Sequence, residues 1–317
     1  MSTRPFLVLA LLQASCSADQ SATCTRDTDC PAGQVCSDGR CLPAMSNGPT
    51  PPDGAPTPDA GLDLFVFPDA GPGDGLQCPA NNNGKIERDE MLFSVPAKVA
   101  ITTGQDMTVD LAGTSVNGET HWDLSNLGLD QSGTRAVVPV PPWAAADFPG
   151  ATYASELTTS YGVFSKANLL GVFRVTPSSL QMLGIVSDTQ THTKITYDSP
   201  LDMLRYPITA ADSFKTDAHA SGYSDIFPFL SYDESYAIQV VARGKLKLLP
   251  GLTLDAVLVR VDQSVYQAWV PLLPSFSNTA FMFVAECYGT VAHVIAKSSP
   301  KSLDKVEVDT MWRLAAP

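Results

Sequence analysis

The sequence predicts a mainly β protein: an antiparallel β-sandwich or curved-sheet domain at residues 91–317, preceded by a small disulfide-rich module and a disordered linker. Three observations support this fold class. Apolar and polar side chains alternate with a period of two in several segments of residues 91–317. Cysteines cluster at residues 24–41, ahead of that region. The composition changes sharply between the cysteine cluster and the main domain. Residues 91–317 also hold all four tryptophans and are long enough to bury a sizeable core.

The alternating segments of the main domain are predicted to be its strands. Val306–Leu314 places Val306 and Trp312 on one face, and residues 236–248 and 252–262 flank a Pro-Gly turn typical of an antiparallel hairpin. A strand over residues 280–288 would place Cys287 on its buried face. Further predicted strands are 107–111, 171–175, 180–186 and 194–198.

Residues 1–18 have the plan of a secretory signal peptide, with one arginine followed by an apolar core at residues 6–12. Cleavage after Ala18 would release a secreted protein. Cleavage before Cys16 would expose a cysteine for lipid attachment. The segment Leu12–Cys16 resembles a bacterial lipobox, although Gln13 departs from the pattern, and the resemblance implies lipidation of Cys16. We therefore expect an exported lipoprotein of the outer membrane, cell surface or periplasm, with free secretion or a buried N-terminal helix as alternatives.

A cysteine-rich module is predicted at residues 19–41. It has too few apolar residues for a core of its own, so covalent links are needed to hold it. The absence of a Cys-x-x-Cys pair and of a nearby histidine favours disulfides over metal, with three pairings open. The four cysteines of the module are Cys24, Cys30, Cys36 and Cys41. Their spacing, with Cys-Pro-Ala-Gly and Asp-Gly-Arg-Cys, resembles the small repeat of Dickkopf-like modules and of bacterial surface lipoproteins. That resemblance implies a secreted module followed by a spacer.

Residues 42–77 are predicted to be a disordered linker. They contain eight prolines, six glycines and five aspartates but no lysine or arginine. Such a composition buries too little apolar surface to offset the entropy of the chain. The main domain is thereby expected to stand away from the N-terminal module.

A loop at residues 78–90 resembles the calcium loops of EF-hand and dockerin proteins. The resemblance places Gly84 at the sharp turn of the loop and Pro79 at its first ligand position, where no side-chain oxygen is present. It implies a weak calcium site, because calcium takes six to eight oxygen ligands. The alternative is a polar turn with Gly84 at positive φ. The implied ligands are Asn81, Asn83, Lys85 (through its carbonyl), Glu87 and Glu90.

Cys78 and Cys287 are predicted to form a long-range disulfide that joins this loop to the main domain. The prediction follows from the even number of cysteines after Ala18 and from the oxidising compartment expected for an exported protein. The alternative is two unrelated thiols, with Cys287 buried as a small apolar side chain.

Charge excludes some classes of partner. The chain carries a net charge of −13, and residues 91–317 hold 15 basic against 21 acidic residues. A protein with this balance and without a basic patch is poorly suited to nucleic acid or to an anionic membrane surface. We therefore expect an envelope or extracellular ligand, with membrane contact only through an N-terminal lipid.

The sequence contains no Gly-x-Ser-x-Gly, His-Glu-x-x-His or phosphate-binding glycine motif. Its histidines are scattered, and His219 is predicted to lie in a polar loop near Asp217 and Asp225, as a solvated residue or as part of an acid–base or metal cluster. The segment 243–294 is similar to the tail of bacterial periplasmic and surface lipoproteins, which implies a β-sheet envelope protein.

The leading functional hypothesis is therefore a non-catalytic envelope protein whose β domain binds a ligand, a glycan or a protein. The alternatives are a secreted hydrolase with a site assembled from distant residues, and a purely structural surface component.

Overall fold

A computed structural model describes residues 34–37, 40–43, 81–91, 95, 97–157, 169–187, 193–224, 228–266 and 276–315. The chain divides into two compact units, Met1–Ala60 and Gly61–Pro317. Cys16, Cys24, Cys30 and Cys78, with most of the linker, lie outside the described residues. Lipidation of Cys16 and the predictions for the linker therefore stay predictions.

The first unit contains a short β-hairpin. Strand β1 (Gln34–Ser37) pairs antiparallel with β2 (Arg40–Pro43), and the register places Cys36 opposite Cys41. The disulfides of this module stay a prediction.

The described part of the second unit is built almost entirely from strands. Helical structure there is limited to 3₁₀ turns at Arg88–Glu90 and Ala145–Asp147. No helix in the described ranges has the length and apolarity needed to cross a bilayer. The strands are β3 (Ala97–Val109), β4 (Thr114–Val116), β5 (Glu119–Asp123), β6 (Gln131–Val138), β7 (Tyr153–Glu156), β8 (Leu169–Val175), β9 (Ser179–Ser187), β10 (Lys194–Arg205), β11 (Ser213–Tyr223), β12 (Leu230–Leu249), β13 (Leu252–Tyr266), β14 (Phe276–Ala285), β15 (Gly289–Ala296) and β16 (Val306–Leu314).

Twelve of these strands form one closed antiparallel barrel. Their order is β11-β10-β9-β8-β7-β6-β3-β16-β15-β14-β13-β12, and β12 pairs again with β11. The closing ladder runs from Ser213 opposite Gln239 to Gly222 opposite Leu230. The prediction of a mainly β domain is confirmed, but the sandwich is wrong. Alternation of side chains reports the faces of a sheet and carries no information on whether its two edges meet.

The predicted hairpin around Pro250 and Gly251 is confirmed as β12 and β13. Strand β12 is long enough to pair with two different strands along the same edge. Its first half pairs with β11, and Gly244–Lys247 pairs in parallel with β5. Because a Cβ at Gly244 would lie 1.9 Å from the carbonyl oxygen of Thr120, only glycine permits this close approach.

The two faces of the closed sheet have different coverings. The inner face buries an apolar cluster drawn mainly from β9 to β14, including Ile185, Ile195 and Val259. On the outer face, β4, β5 and the segments around them cover a second cluster, where Trp122 packs edge-on against Phe283. Where this covering ends, the outer face of β11 and of the first half of β12 is open to solvent.

Candidate functional site

A row of polar side chains crosses the open part of the outer face. The register places His219 on β11 opposite Asp233 on β12, and Asp233 opposite Tyr266 at the end of β13. On the other side of His219, Asp198 on β10 accepts a hydrogen bond from the His219 backbone N–H at 3.0 Å. Ser231 lies two positions before Asp233, so the two side chains project from the same face of β12. We call Asp198, His219, Ser231, Asp233 and Tyr266 the outer-face site.

Three of these residues are linked by side-chain hydrogen bonds. His219 Nδ1 lies 2.7 Å from Asp233 Oδ1, and His219 Nε2 lies 3.0 Å from Ser231 Oγ. A carboxylate only accepts hydrogen bonds, so Nδ1 donates to Asp233, and in the neutral imidazole Nε2 accepts the hydroxyl proton of Ser231. The imidazole is thereby held in one tautomer and one orientation between the two residues.

Asp198 holds the histidine from the β10 side. Its pKa is lowered, first by the hydrogen bond from the His219 backbone and then by one from the Ser199 hydroxyl. A carboxylate at this position therefore stays ionised beside the imidazole, and the site presents negative charge around one histidine.

Two exposed aromatic side chains accompany the polar row. Tyr266 is 56% exposed, and Phe229, two residues before Ser231, is 84% exposed. Large aromatic side chains are enriched at binding interfaces, where one face of the ring is apolar and its neighbours are polar. The outer-face site thus combines directional hydrogen-bonding groups with the exposed ring of Tyr266, and Phe229 is exposed just before β12 begins.

The prediction for the surroundings of His219 was wrong in its details. His219 lies on strand β11 and not in a loop, and its side-chain partners are Asp233 and Ser231. Asp217 instead pairs with Lys215, and Asp225 lies outside the described residues. The alternation of Ser231 and Asp233 was visible in the sequence, but the identity of the strand that brings a histidine to them was not.

The inner face of the same strand carries a buried carboxyl group. Glu234 is 1% exposed, and its Oε2 accepts hydrogen bonds from the hydroxyls of Tyr236 at 2.6 Å and Tyr197 at 3.1 Å. Gln263 Nε2 donates to the Tyr236 hydroxyl in turn. Burial raises the pKa of Glu234 against the opposing effect of the tyrosine hydrogen bonds.

His293, predicted in a strand, lies on β15, and its ring stacks on that of Trp312. The guanidinium group of Arg135 lies over the Trp312 ring, 4.6 Å from its centroid. Burial, with the nearby Arg135 charge, lowers the pKa of His293 to about 3. This histidine is therefore neutral at physiological pH.

The residues of the calcium hypothesis form a compact turn. The side-chain oxygens of Asn81 and Asn83 accept the backbone N–H groups of Asn83 and Lys85, at 2.8 and 3.1 Å. Lys85 Nζ lies 2.9 Å from Glu87 Oε1. Gly84 has a φ of 95°, which both the calcium loop and the plain turn require.

Glu90 is placed inside the protein and not on the surface of the loop. It is 1% exposed, and its Oε2 accepts the backbone N–H of Glu87. In the described ranges no group of three or more His, Cys, Asp or Glu side chains is arranged to hold a metal ion. The predicted set contains only two carboxylates, so calcium stays a prediction.

This turn docks on the connection between β14 and β15. Glu286 Oε2 accepts the backbone N–H groups of Asn81 and Asn82, and the Cys287 backbone donates to the carbonyl of Glu90 at 2.7 Å. Cys287 is disulfide-bonded, and Cys78, its predicted partner, lies outside the described residues. The predicted strand was too long: β14 ends at Ala285, and Cys287 has a φ of 69° in the turn that follows. The contacts bring residue 81 to the neighbour of Cys287, as a Cys78–Cys287 bond requires, and that pairing stays a prediction.

Comparison with known proteins identified no matching family, no matching curated protein and no matching solved structure. The function has therefore to be inferred from the polar groups of the structure, above all from the outer-face site.

Proposed function

We propose that this chain is an exported envelope protein whose β domain binds a hydroxyl-rich ligand, a glycan, at the outer-face site. The observation that supports this is the alignment of hydrogen-bonding side chains from four neighbouring strands beside two exposed aromatic rings. The carboxylates and the imidazole accept and donate hydrogen bonds to hydroxyl groups. An aromatic face, negative at its centre, attracts the C–H groups on the apolar face of a sugar ring.

The charge of the site supports a neutral or cationic ligand over an anionic one. Asp198 and Asp233 lie on either side of His219, and Asp217 lies on the same face of β11. Carboxylates repel phosphate or carboxylate groups, as does the net negative charge of the whole chain. Nucleic acid is disfavoured for the same reason.

Binding should be tested with the purified full chain on an array of neutral bacterial polysaccharides and oligosaccharides, followed by calorimetry with the bound members. Phe229→Ala and Tyr266→Ala should each weaken binding by about tenfold, since an aromatic contact is worth about 1 kcal/mol or slightly more. Val116→Ala is the matched control, because Val116 is 44% exposed but belongs to β4. Absence of any bound saccharide, or equal affinities for all variants, would refute the proposal.

The same proposal includes attachment of the protein to a membrane through a lipid on Cys16. In the native host, the protein should incorporate labelled fatty acid, and Cys16→Ser should release it from the membrane fraction. A mature protein that begins at Asp19 and carries no label would show free secretion instead. Glycan binding at the outer-face site is independent of this result.

A further inference from the structure

We propose that the outer-face site is also a nucleophilic serine site that hydrolyses carboxylic esters, with Ser231 as nucleophile, His219 as general base and Asp233 as the residue that orients it. This goes beyond binding, and it gives the hydrolase alternative a definite set of residues. A serine site is recognised by its geometry and not by the order of its residues in the chain. The two distances, 3.0 Å from Oγ to Nε2 and 2.7 Å from Nδ1 to Oδ1, lie within hydrogen-bond reach.

The secondary structure explains why this geometry is well defined. Ser231 and Asp233 are fixed on one face of β12 by the pleat of the strand, and His219 is directly opposite Asp233 in the ladder. Asp198 holds the histidine backbone from the next strand. The three reacting side chains therefore stand on rigid strands, which limits the motion that would separate them.

The reaction balances with water as the only co-reactant. Ser231 Oγ bonds to the ester carbonyl carbon, its proton passes to His219 Nε2, and the carbonyl π electrons move to the oxygen. When the carbonyl re-forms, the bond to the alcohol oxygen breaks, and the alcohol leaves with the proton from Nε2. Water then attacks the acyl-serine with His219 again as base, releasing the carboxylic acid and restoring Ser231.

The exposed position of the site favours a large substrate that carries acyl groups on its surface. It lies on open strands, so an acyl group borne on the surface of a large molecule can reach Ser231, and an ester-decorated glycan would also contact the two aromatic rings. Ser231 lies in a regular strand and not at a helix N-terminus, where strong oxyanion donors are found. Each such donor is worth a factor of about 10² to 10³ in kcat, so we expect slow turnover and a more readily detected acylation or phosphonylation of the serine.

The test is covalent labelling of the purified full chain with a fluorophosphonate, with the adduct located by mass spectrometry. We expect an adduct on Ser231, none at that position in Ser231→Ala, and a rate at least tenfold lower in His219→Gln. Ser235→Ala is the matched control, because Ser235 lies on the same face of β12 beyond Asp233, and it should label at Ser231 at the native rate. Labelling that is absent from Ser231, or that is unchanged in His219→Gln, would overturn the proposal.

A second measurement separates this proposal from glycan binding. Hydrolysis of p-nitrophenyl acetate should fall at least tenfold in Ser231→Ala and in Asp233→Asn, and should be retained in Val116→Ala, whose side chain is exposed on β4 away from the site. Glycan binding is measured separately by calorimetry, with Tyr266→Ala as the variant expected to weaken it. Hydrolysis that is the same in the native chain and in Ser231→Ala would refute the activity without bearing on binding.

Discussion

The two faces of one short segment of β12 show how the same strand holds two kinds of polar group. Ser231 and Asp233 project outward and meet His219 in water, whereas Glu234, between Asp233 and Ser235 in sequence, projects inward and is 1% exposed. The outer groups are 42% exposed at His219 and 62% at Asp233. Two adjacent residues of one strand, Asp233 and Glu234, are therefore mostly exposed and fully buried, respectively.

This difference predicts different roles. A carboxylate that remains in water interacts weakly with its neighbours, so the outer row contributes little to folding and is available for ligands. A buried carboxyl group must be hydrogen-bonded or neutral, and Glu234 has the hydroxyls of Tyr236 and Tyr197. We therefore expect inner-face changes to alter stability and outer-face changes to alter function.

The largest expected effect is that of Glu234→Ala. The substitution removes the common acceptor of two tyrosine hydroxyls and leaves a space in the core, so we expect a loss of about 3 kcal/mol in the free energy of unfolding. Urea denaturation followed by tryptophan fluorescence measures it. A loss below about 0.5 kcal/mol, the range typical of surface substitutions, would mean that the inner cluster does not stabilise the fold.

The second prediction concerns the pH dependence of Glu234. Its pKa is raised in the folded state because burial disfavours the charged form. The unfolded chain ionises first as pH rises above the ordinary value of 4.5, so the contribution of this group is present in acid and is lost as pH rises through the folded pKa. Glu234→Gln, which cannot ionise, should therefore gain stability relative to the native chain as the pH is raised over the range above 4.5. A constant difference over that range would contradict the buried, raised-pKa carboxyl.

The third prediction concerns Asp123, an exposed carboxylate on β5 whose pKa is shifted in the direction opposite to that of Glu234. Hydrogen bonds from Lys247 and Ser125 lower the pKa of Asp123 to about 2. Its contribution is present above the unfolded value of 3.8 and is lost as pH falls through about 2. Both side chains of the Asp123–Lys247 pair are nearly half exposed, so Asp123→Asn should cost less than about 1 kcal/mol at pH 7. That cost should disappear in strong acid, and a cost that grew in acid would contradict this sign.

The contrast between the faces also shows what the sequence could predict. Period-two alternation correctly indicated a β domain, the β12–β13 hairpin and strand β16, because each depends on local side-chain spacing. Closure of the barrel depends on the pairing of β11 with β12, which local spacing does not determine. The sandwich prediction was wrong for that reason.

The candidate site, like the barrel, depends on pairing between strands that local spacing does not determine. Ser231 and Asp233 are separated by one residue, so a shared face was readable, but His219 meets them only through the register of β11. Likewise, Glu286 anchors the turn at residues 81–90 across about 200 residues of chain, and no local pattern indicates it. Sequence spacing identifies residues on one strand, whereas a site built across strands requires the register.

The smallest expected effect on stability is that of the outer-face site. His219→Ala removes two hydrogen bonds, but the side chains of His219 and Asp233 are 42% and 62% exposed, so water replaces those bonds at little cost. The free energy of unfolding should change by no more than about 0.5 kcal/mol. Measured in the same denaturation experiment as Glu234→Ala, a loss near that of the inner-face variant would show that His219 holds β11 to β12. The outer-face site would then be a structural feature of the ladder between β11 and β12. The labelling rate of His219→Gln would in that case be compared with that of a folded variant of equal stability.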